Sequence, residues 1–291
     1  MDKKFQGLYP ALPTPYDEKG DVNVKSLERL VEYNLDKGVK GFYVAGSTGE
    51  AFMLSDKERN LVYETVAKTA GGRANLFAHI GAVSTAQAIS FGRTAEKLGY
   101  DAVSAVPPFY YKFSFQQIKK HYFDIVSAVD LPMIIYNVPI YSGIGFSADE
   151  MAEFFGDPRF LGVKFTSNDF YTLERFKTRF PDRYIFNGFD EMFLAGLSMG
   201  ADGGIGSCYN FMAEKFIKIR ELFLQNKMAE ALEIQKEVNS IVYALFKVGV
   251  LEGTKEVVSQ LGIECGNARA PFSVLTPEQK QFIRENITEK L

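Results

Sequence analysis

The sequence predicts an α/β fold, a (β/α)8 TIM barrel followed by a C-terminal helical extension. Three observations lead there. Short apolar runs recur eight times, stretches with helical period separate them, and no linker or composition break divides the series. The 291-residue chain therefore reads as one domain, with residues 1–225 as the barrel and 226–291 as helices packed on it.

The runs are GLYPALPT (7–14), GFYVAG (41–46), NLFAHIGA (75–82), DAVSAVPP (101–108), PMIIYNVP (132–139), LGVKFTS (161–167), YIFNGFDE (184–191) and DGGIGS (202–207). Each has the length and apolar content of a strand buried on both faces. SLERLVEYNLDK (26–37) follows the first run with helical spacing. In SDKERNLVYETVAKTA (55–70), Ser55 with Glu58 three residues on is a cap signal. TAQAISFGRTAEKLG (85–99) stops at Gly99, a natural helix end. FSFQQIKKHYFDIVSAV (113–129) and ADEMAEFFG (148–156) continue the alternation, and EMFLAGLSMG (191–200) holds a short helix. Three further helices follow in MAEKFIKIRELFLQ, MAEALEIQKEVNSIVYALFKVG and TPEQKQFIRENITEKL. An open doubly wound sheet is the competing arrangement, but it would place a GxGxxG fingerprint early in the chain. GGIGS sits instead at the last run, residues 203–207.

A formal charge of -3 and 46% hydrophobic residues give no basic footprint for nucleic acid, and none is expected as a partner. The opening MDKKFQGLYP has no signal-peptide core, and no apolar run has membrane-spanning length. A cytoplasmic protein with no membrane partner is expected. Cys208 and Cys265 form no CxxC pair and read as free thiols of a reducing compartment.

Barrel enzymes build their sites at the carboxyl ends of the strands. Applied here, that rule collects Ser47, Thr48 and Glu50 from GSTGE, Tyr110 and Tyr111 from PPFYY, and Tyr136 and Asn137 from IIYNVP. It adds Lys164 and Thr166 from the sixth run, Gly188, Asp190 and Glu191 from NGFDE, and Ser207 from the eighth. Lys164 stands out because Leu161, Val163 and Phe165 surround it. Burial disfavours an ammonium relative to the free amine, and a free amine adds to a carbonyl to form a Schiff base. Its other reading, a stem that snorkels to solvent, weakens once hydroxyls collect at the same end. Lys112 and Lys119 need only a surface reading.

Tyr136 suits a general acid and base beside such an amine, since barrel interiors favour branched aliphatics and a buried phenol needs a partner. Tyr110 either relays to it or forms an aromatic subunit contact. Gly46 and Gly49 allow a tight turn in which Ser47 and Thr48 present hydroxyls and amides to a carboxylate. Glu50 is expected to support that turn. Asp190 and Glu191 fit the hydroxyls of a polyol chain, and a hard metal would need further oxygen ligands. His79 ends a strand while His121 falls within a helix, so no metal site is expected.

GSTGE (46–50), YNVP (136–139), GVKFTS (162–167), NGFDE (187–191) and GADGGIGS (200–207) together resemble the pyruvate-dependent class I aldolase family that contains the N-acetylneuraminate lyases and the dihydrodipicolinate synthases. The resemblance runs over essentially the whole chain. Ser47 before Thr48 is similar to the lyase branch, where synthases usually carry two threonines. Tyr141 stands where synthases typically place an arginine for a carboxylate, which removes a bidentate fork. Phe189 departs from the tyrosine often found there and lacks its hydroxyl.

The resemblance implies reversible aldol cleavage of N-acetylneuraminate to N-acetyl-D-mannosamine and pyruvate, with no cofactor and no metal. It implies Lys164 as the Schiff-base residue, Tyr136 as proton donor and acceptor, and Ser47 and Tyr110 as further catalytic residues. Ser47 and Thr48 would hold the substrate carboxylate, and Thr166, Gly188, Asp190, Glu191 and Ser207 the sugar. It also implies a homotetramer in which Tyr110 reaches a neighbouring subunit's site. A 2-keto-3-deoxy sugar acid aldolase, a dihydrodipicolinate synthase, and a non-catalytic ligand-binding barrel remain as alternatives.

Overall fold

The computed structural model describes residues 3–291. Its eight parallel strands are β1 (Gly7–Pro10), β2 (Gly41–Val44), β3 (Asn75–His79), β4 (Ala102–Ala105), β5 (Met133–Asn137), β6 (Phe160–Phe165), β7 (Tyr184–Asn187) and β8 (Gly203–Gly206). They lie in the order β1-β8-β7-β6-β5-β4-β3-β2. The two ends of that row meet: the Leu12 N–H donates to the Tyr43 carbonyl at 3.1 Å, and the Lys40 N–H to that of Leu8 at 3.0 Å. The sheet thus closes on itself as a (β/α)8 barrel, which leaves no strand edge exposed.

Around it run α1 (Val24–Asp36), α2 (Asp56–Ala70), α3 (Thr85–Lys97), α4 (Phe115–Ala128), the single turn α5 (Pro139–Ser142), α6 (Ala148–Phe155), α7 (Phe170–Arg179) and α8 (Phe193–Ser198). α9 (Tyr209–Leu224) follows β8 and completes the ring, and the extension comprises α10 (Met228–Phe246), α11 (Val250–Gln260) and α12 (Pro277–Asn286). Local sequence explains most of these limits. Ser55 and Glu58 form a reciprocal capping box at α2, and Gly99 follows α3 with φ at 75°. No helix of the described residues is long and apolar enough to cross a membrane.

Besides the single turn α5, two helices were not expected from the sequence. In α7, Phe170, Leu173 and Phe176 face the core, a stripe too short over ten residues to be told from a loop by period alone. In α11, VLEGTKEVVSQ carries β-branched residues and an internal glycine, all poor helix formers. Gly253 is there for packing, because a β-carbon would lie 2.6 Å from the Leu245 side chain.

The barrel interior is rich in aromatic rings, with Tyr9, Tyr43, Phe77, Tyr136, Tyr184 and Phe186 in one buried cluster beside aliphatic residues such as Ile134 and Ile205. Tyr9 and Phe77 stack at 4.3 Å between centroids. Glycine makes the room: at Gly41 a β-carbon would come within 2.6 Å of the Tyr9 ring. The expectation that an aromatic side chain is unusual inside this barrel is therefore corrected. Tyr136 is distinguished by its neighbour, not by being aromatic.

Candidate active site

That neighbour is Lys164, paired with Tyr136 across β5 and β6. Lys164 is 4% exposed. Its Nζ lies 4.1 Å from the Tyr136 ring centroid and 4.3 Å from that of Tyr43. No carboxylate pairs with it among the described residues. Two electron-rich ring faces stand where a counter-ion would otherwise be, and neither ring face supplies a hydrogen-bond acceptor. The amine is thus buried, oriented and free of a salt bridge.

Tyr43 was missed in the sequence. Strand alternation was the available signal, since positions 41 and 43 of GFYV face the interior together. Its hydroxyl donates to the Ser104 hydroxyl at 3.0 Å, which fixes the ring. Burial raises its pKa far above the ordinary tyrosine value, so it stays neutral. His79 packs beside both rings, with centroids 5.9 Å from Tyr43 and 5.9 Å from Tyr136. Burial first, and then the Arg59 charge, hold His79 well below its usual pKa. Arg59 in turn donates to the carbonyls of Gly81 and His79, within a structural network behind β3.

The GSTGE turn crosses the mouth after β2. Ala45 and Glu50 both adopt left-handed backbone, at φ 53° and 56°. The Glu50 N–H donates to the Ser47 carbonyl at 3.0 Å, and the Thr14 hydroxyl to the Gly49 carbonyl at 2.7 Å. Ser47 is exposed and Thr48 half-buried, so both hydroxyls are open to a ligand. Glu50 is buried and supports the turn, as its place in the motif suggests.

The ends of β6, β7 and β8 form the other wall. The Thr166 Oγ1 is buried without a partner. Gly188 packs so closely on it that a β-carbon would overlap the Thr166 side chain. Asp190 accepts the Cys208 N–H at 2.8 Å through Oδ2, while its Oδ1 is buried and unpartnered. Burial is the main reason its pKa rises to about 6. Glu191, half-buried, is raised for the same reason. Ser207 points its hydroxyl toward Asp190 at 3.5 Å. Among the described residues no group of three His, Cys, Asp or Glu side chains is arranged to hold a metal.

Tyr110 stands apart from this cluster. It is 86% exposed and packs on Tyr111, with centroids 5.0 Å apart.

A closed parallel barrel with a buried amine and a phenol side by side at the carboxyl ends of its strands defines a barrel enzyme of nucleophilic amine chemistry. The chain belongs to the dihydrodipicolinate synthetase family, whose sequence profile matches residues 4–290. It is similar to N-acetylneuraminate lyase 2 of Escherichia coli O6:H1, at 41% identity over 293 residues that cover 100% of this chain and 96% of that protein. The structure of CdNal from Clostridium difficile in complex with mannosamine superposes with a TM-score of 0.97 at 38% identity, over 100% of both chains. The N-acetylneuraminate lyase of Fusobacterium nucleatum complexed with pyruvate gives a TM-score of 0.95 at 39% identity, over 99% of this chain and 98% of that one.

Proposed function

We propose that the chain catalyses the reversible aldol cleavage of N-acetylneuraminate to pyruvate and N-acetyl-D-mannosamine through a Schiff base on Lys164. The observation that carries this reading is the Lys164 amine, buried between the faces of Tyr43 and Tyr136 with no carboxylate paired to it. The names of the relatives supply the substrate: a lyase of that name is similar over the full chain, and another was solved with pyruvate.

In the forward direction the amine adds to the C2 ketone of the open-chain sugar acid, and water leaves as the iminium forms. The substrate carboxylate rests on the hydroxyls and amides of Ser47 and Thr48. Tyr136, its own proton having gone to the departing water, takes the C4 hydroxyl proton, the C3–C4 electron pair moves into the iminium to give a neutral enamine, and N-acetylmannosamine departs. Protonation of the enamine at C3 and hydrolysis release pyruvate and restore the amine. The iminium carries a positive charge until the C3–C4 bond breaks and again once C3 is protonated, and the two ring faces stabilise that charge. Thr166, Gly188, Asp190, Glu191 and Ser207 receive the sugar's amide and hydroxyl tail. The unpartnered oxygens of Thr166 and Asp190 support that role, because buried acceptors without a partner are costly until a ligand fills them.

The reading extends to a homotetramer in which Tyr110 enters a neighbouring subunit's site. The exposed Phe52, Val83, Tyr110 and Tyr111 support such a contact. The free, buried Cys208 and Cys265 fit a reducing cytoplasm.

The test sets N-acetylneuraminate beside 2-keto-3-deoxygluconate in one cleavage assay, and pairs it with borohydride trapping of pyruvate. Efficient cleavage of the first substrate and a three-carbon adduct on Lys164, absent in K164A, are expected. Preference for the second substrate, or an adduct on Lys112, would overturn the reading.

A further inference from the structure

Glu50 closes the GSTGE turn with a backbone that side chains other than glycine rarely adopt. What holds it there comes from the C-terminal extension. Lys255, on α11, donates to the Glu50 Oε1 at 2.8 Å, and the two side chains are 1% and 0% exposed. The second carboxylate oxygen accepts the Arg269 N–H at 2.7 Å. Lys255 also donates to the carbonyls of Thr14 at 2.9 Å and Asn267 at 3.0 Å, and its ammonium sits 4.0 Å from the Tyr16 ring centroid.

Two routes therefore run from Lys255 to the turn. One passes through the Glu50 carboxylate. The other passes through Thr14, whose carbonyl accepts from Lys255 and whose hydroxyl donates to Gly49. The routes end on Glu50 and Gly49, directly after the Ser47–Thr48 segment, and the Glu50 N–H ties back to the Ser47 carbonyl at 3.0 Å. A buried ion pair adds little net stability, because desolvation offsets most of its attraction. What this one provides is fixed geometry at the place where a carboxylate would be received.

We propose that Lys255 is a positioning residue for the carboxylate-binding turn, so that the C-terminal extension forms part of the substrate-binding apparatus of the barrel. The proposal rests on the reading that Ser47 and Thr48 hold the substrate carboxylate. It requires that loss of the clamp weaken binding of a carboxylate more than binding of an uncharged ketone at the same lysine.

The experiment uses the full chain and borohydride trapping on Lys164, with pyruvate and methyl pyruvate as probes. K255M alone leaves a buried carboxylate unpaired and threatens the fold. The double variant E50Q/K255M removes both charges and is the main test. Its half-trapping concentration for pyruvate should rise by about tenfold, the value of a charge-assisted hydrogen-bond network, while that for methyl pyruvate stays within about twofold. A merely structural role would move both probes together. An unchanged ratio of the two concentrations overturns the proposal. If the double variant does not fold, K255Q keeps one donor toward Glu50 and is read by the same ratio, with the same two outcomes. Failure of the wild-type chain to trap pyruvate at Lys164 is a separate result, which overturns the reading of the site itself.

Discussion

Replacing Asp190 by asparagine should remove one component of the pH dependence of stability. The carboxyl is buried, and one of its oxygens has no partner. Burial carries its pKa from 3.8 up to about 6, against the opposing pull of the Cys208 N–H and the Lys164 charge. Between those two values the folded chain holds a proton that the unfolded chain has released. Stability from this group is thus full below the lower value and declines as pH rises through the upper one. The shift of roughly 2 units, at about 1.36 kcal/mol each, sets a ceiling of about 3 kcal/mol. About 2 kcal/mol of that falls between about pH 4.5 and about pH 7.5. The assay is urea unfolding of wild type and D190N across that range, at fixed salt and fixed protein concentration, because self-association would shift the midpoint. Asparagine does not titrate, so the stability difference, wild type minus D190N, should fall by about 2 kcal/mol. A difference that stays flat within about 0.5 kcal/mol would refute the reasoning, and one that grows with pH would show that the site favours the charged carboxylate.

Two further substitutions separate the roles at the mouth. Y136F keeps the Lys164 amine and an aromatic face, so borohydride should still trap pyruvate while cleavage slows by about a hundredfold or more; undiminished turnover would remove Tyr136 from the proton-transfer step. G188A sets a methyl group onto the Thr166 side chain, and the overpacking of about 1–3 kcal/mol should fall on the sugar half. The KM for N-acetylneuraminate should rise while pyruvate trapping stays unchanged, and an unaltered KM would show that Thr166 and Gly188 do not line the sugar site.

Lys164 and Tyr136 were legible because strand periodicity is local. Lys164 interrupts an apolar run, and both residues lie near the ends of their strands. Asp190 and Ser207 were legible by the same rule applied to β7 and β8. Tyr43 was not, because a tyrosine in an apolar strand looks like ordinary core until the lysine opposite is placed over its ring. The aromatic interior was hidden too, since glycines such as Gly41 make their room on a different strand from the ring they admit.

By itself, the sequence determined the eight strands, most of the helices between them, and the set of polar groups at one end of the barrel. These follow from hydrophobic period, caps and glycine stops, each written within a few neighbouring residues. Tertiary structure alone decided which groups meet. It placed the faces of Tyr43 and Tyr136 beside one amine, and Gly188 against Thr166. It also joined Glu50 to Lys255, a residue 205 positions away. Contacts at that separation leave no periodic trace, because they depend on how the barrel closes and where the last helices pack against it.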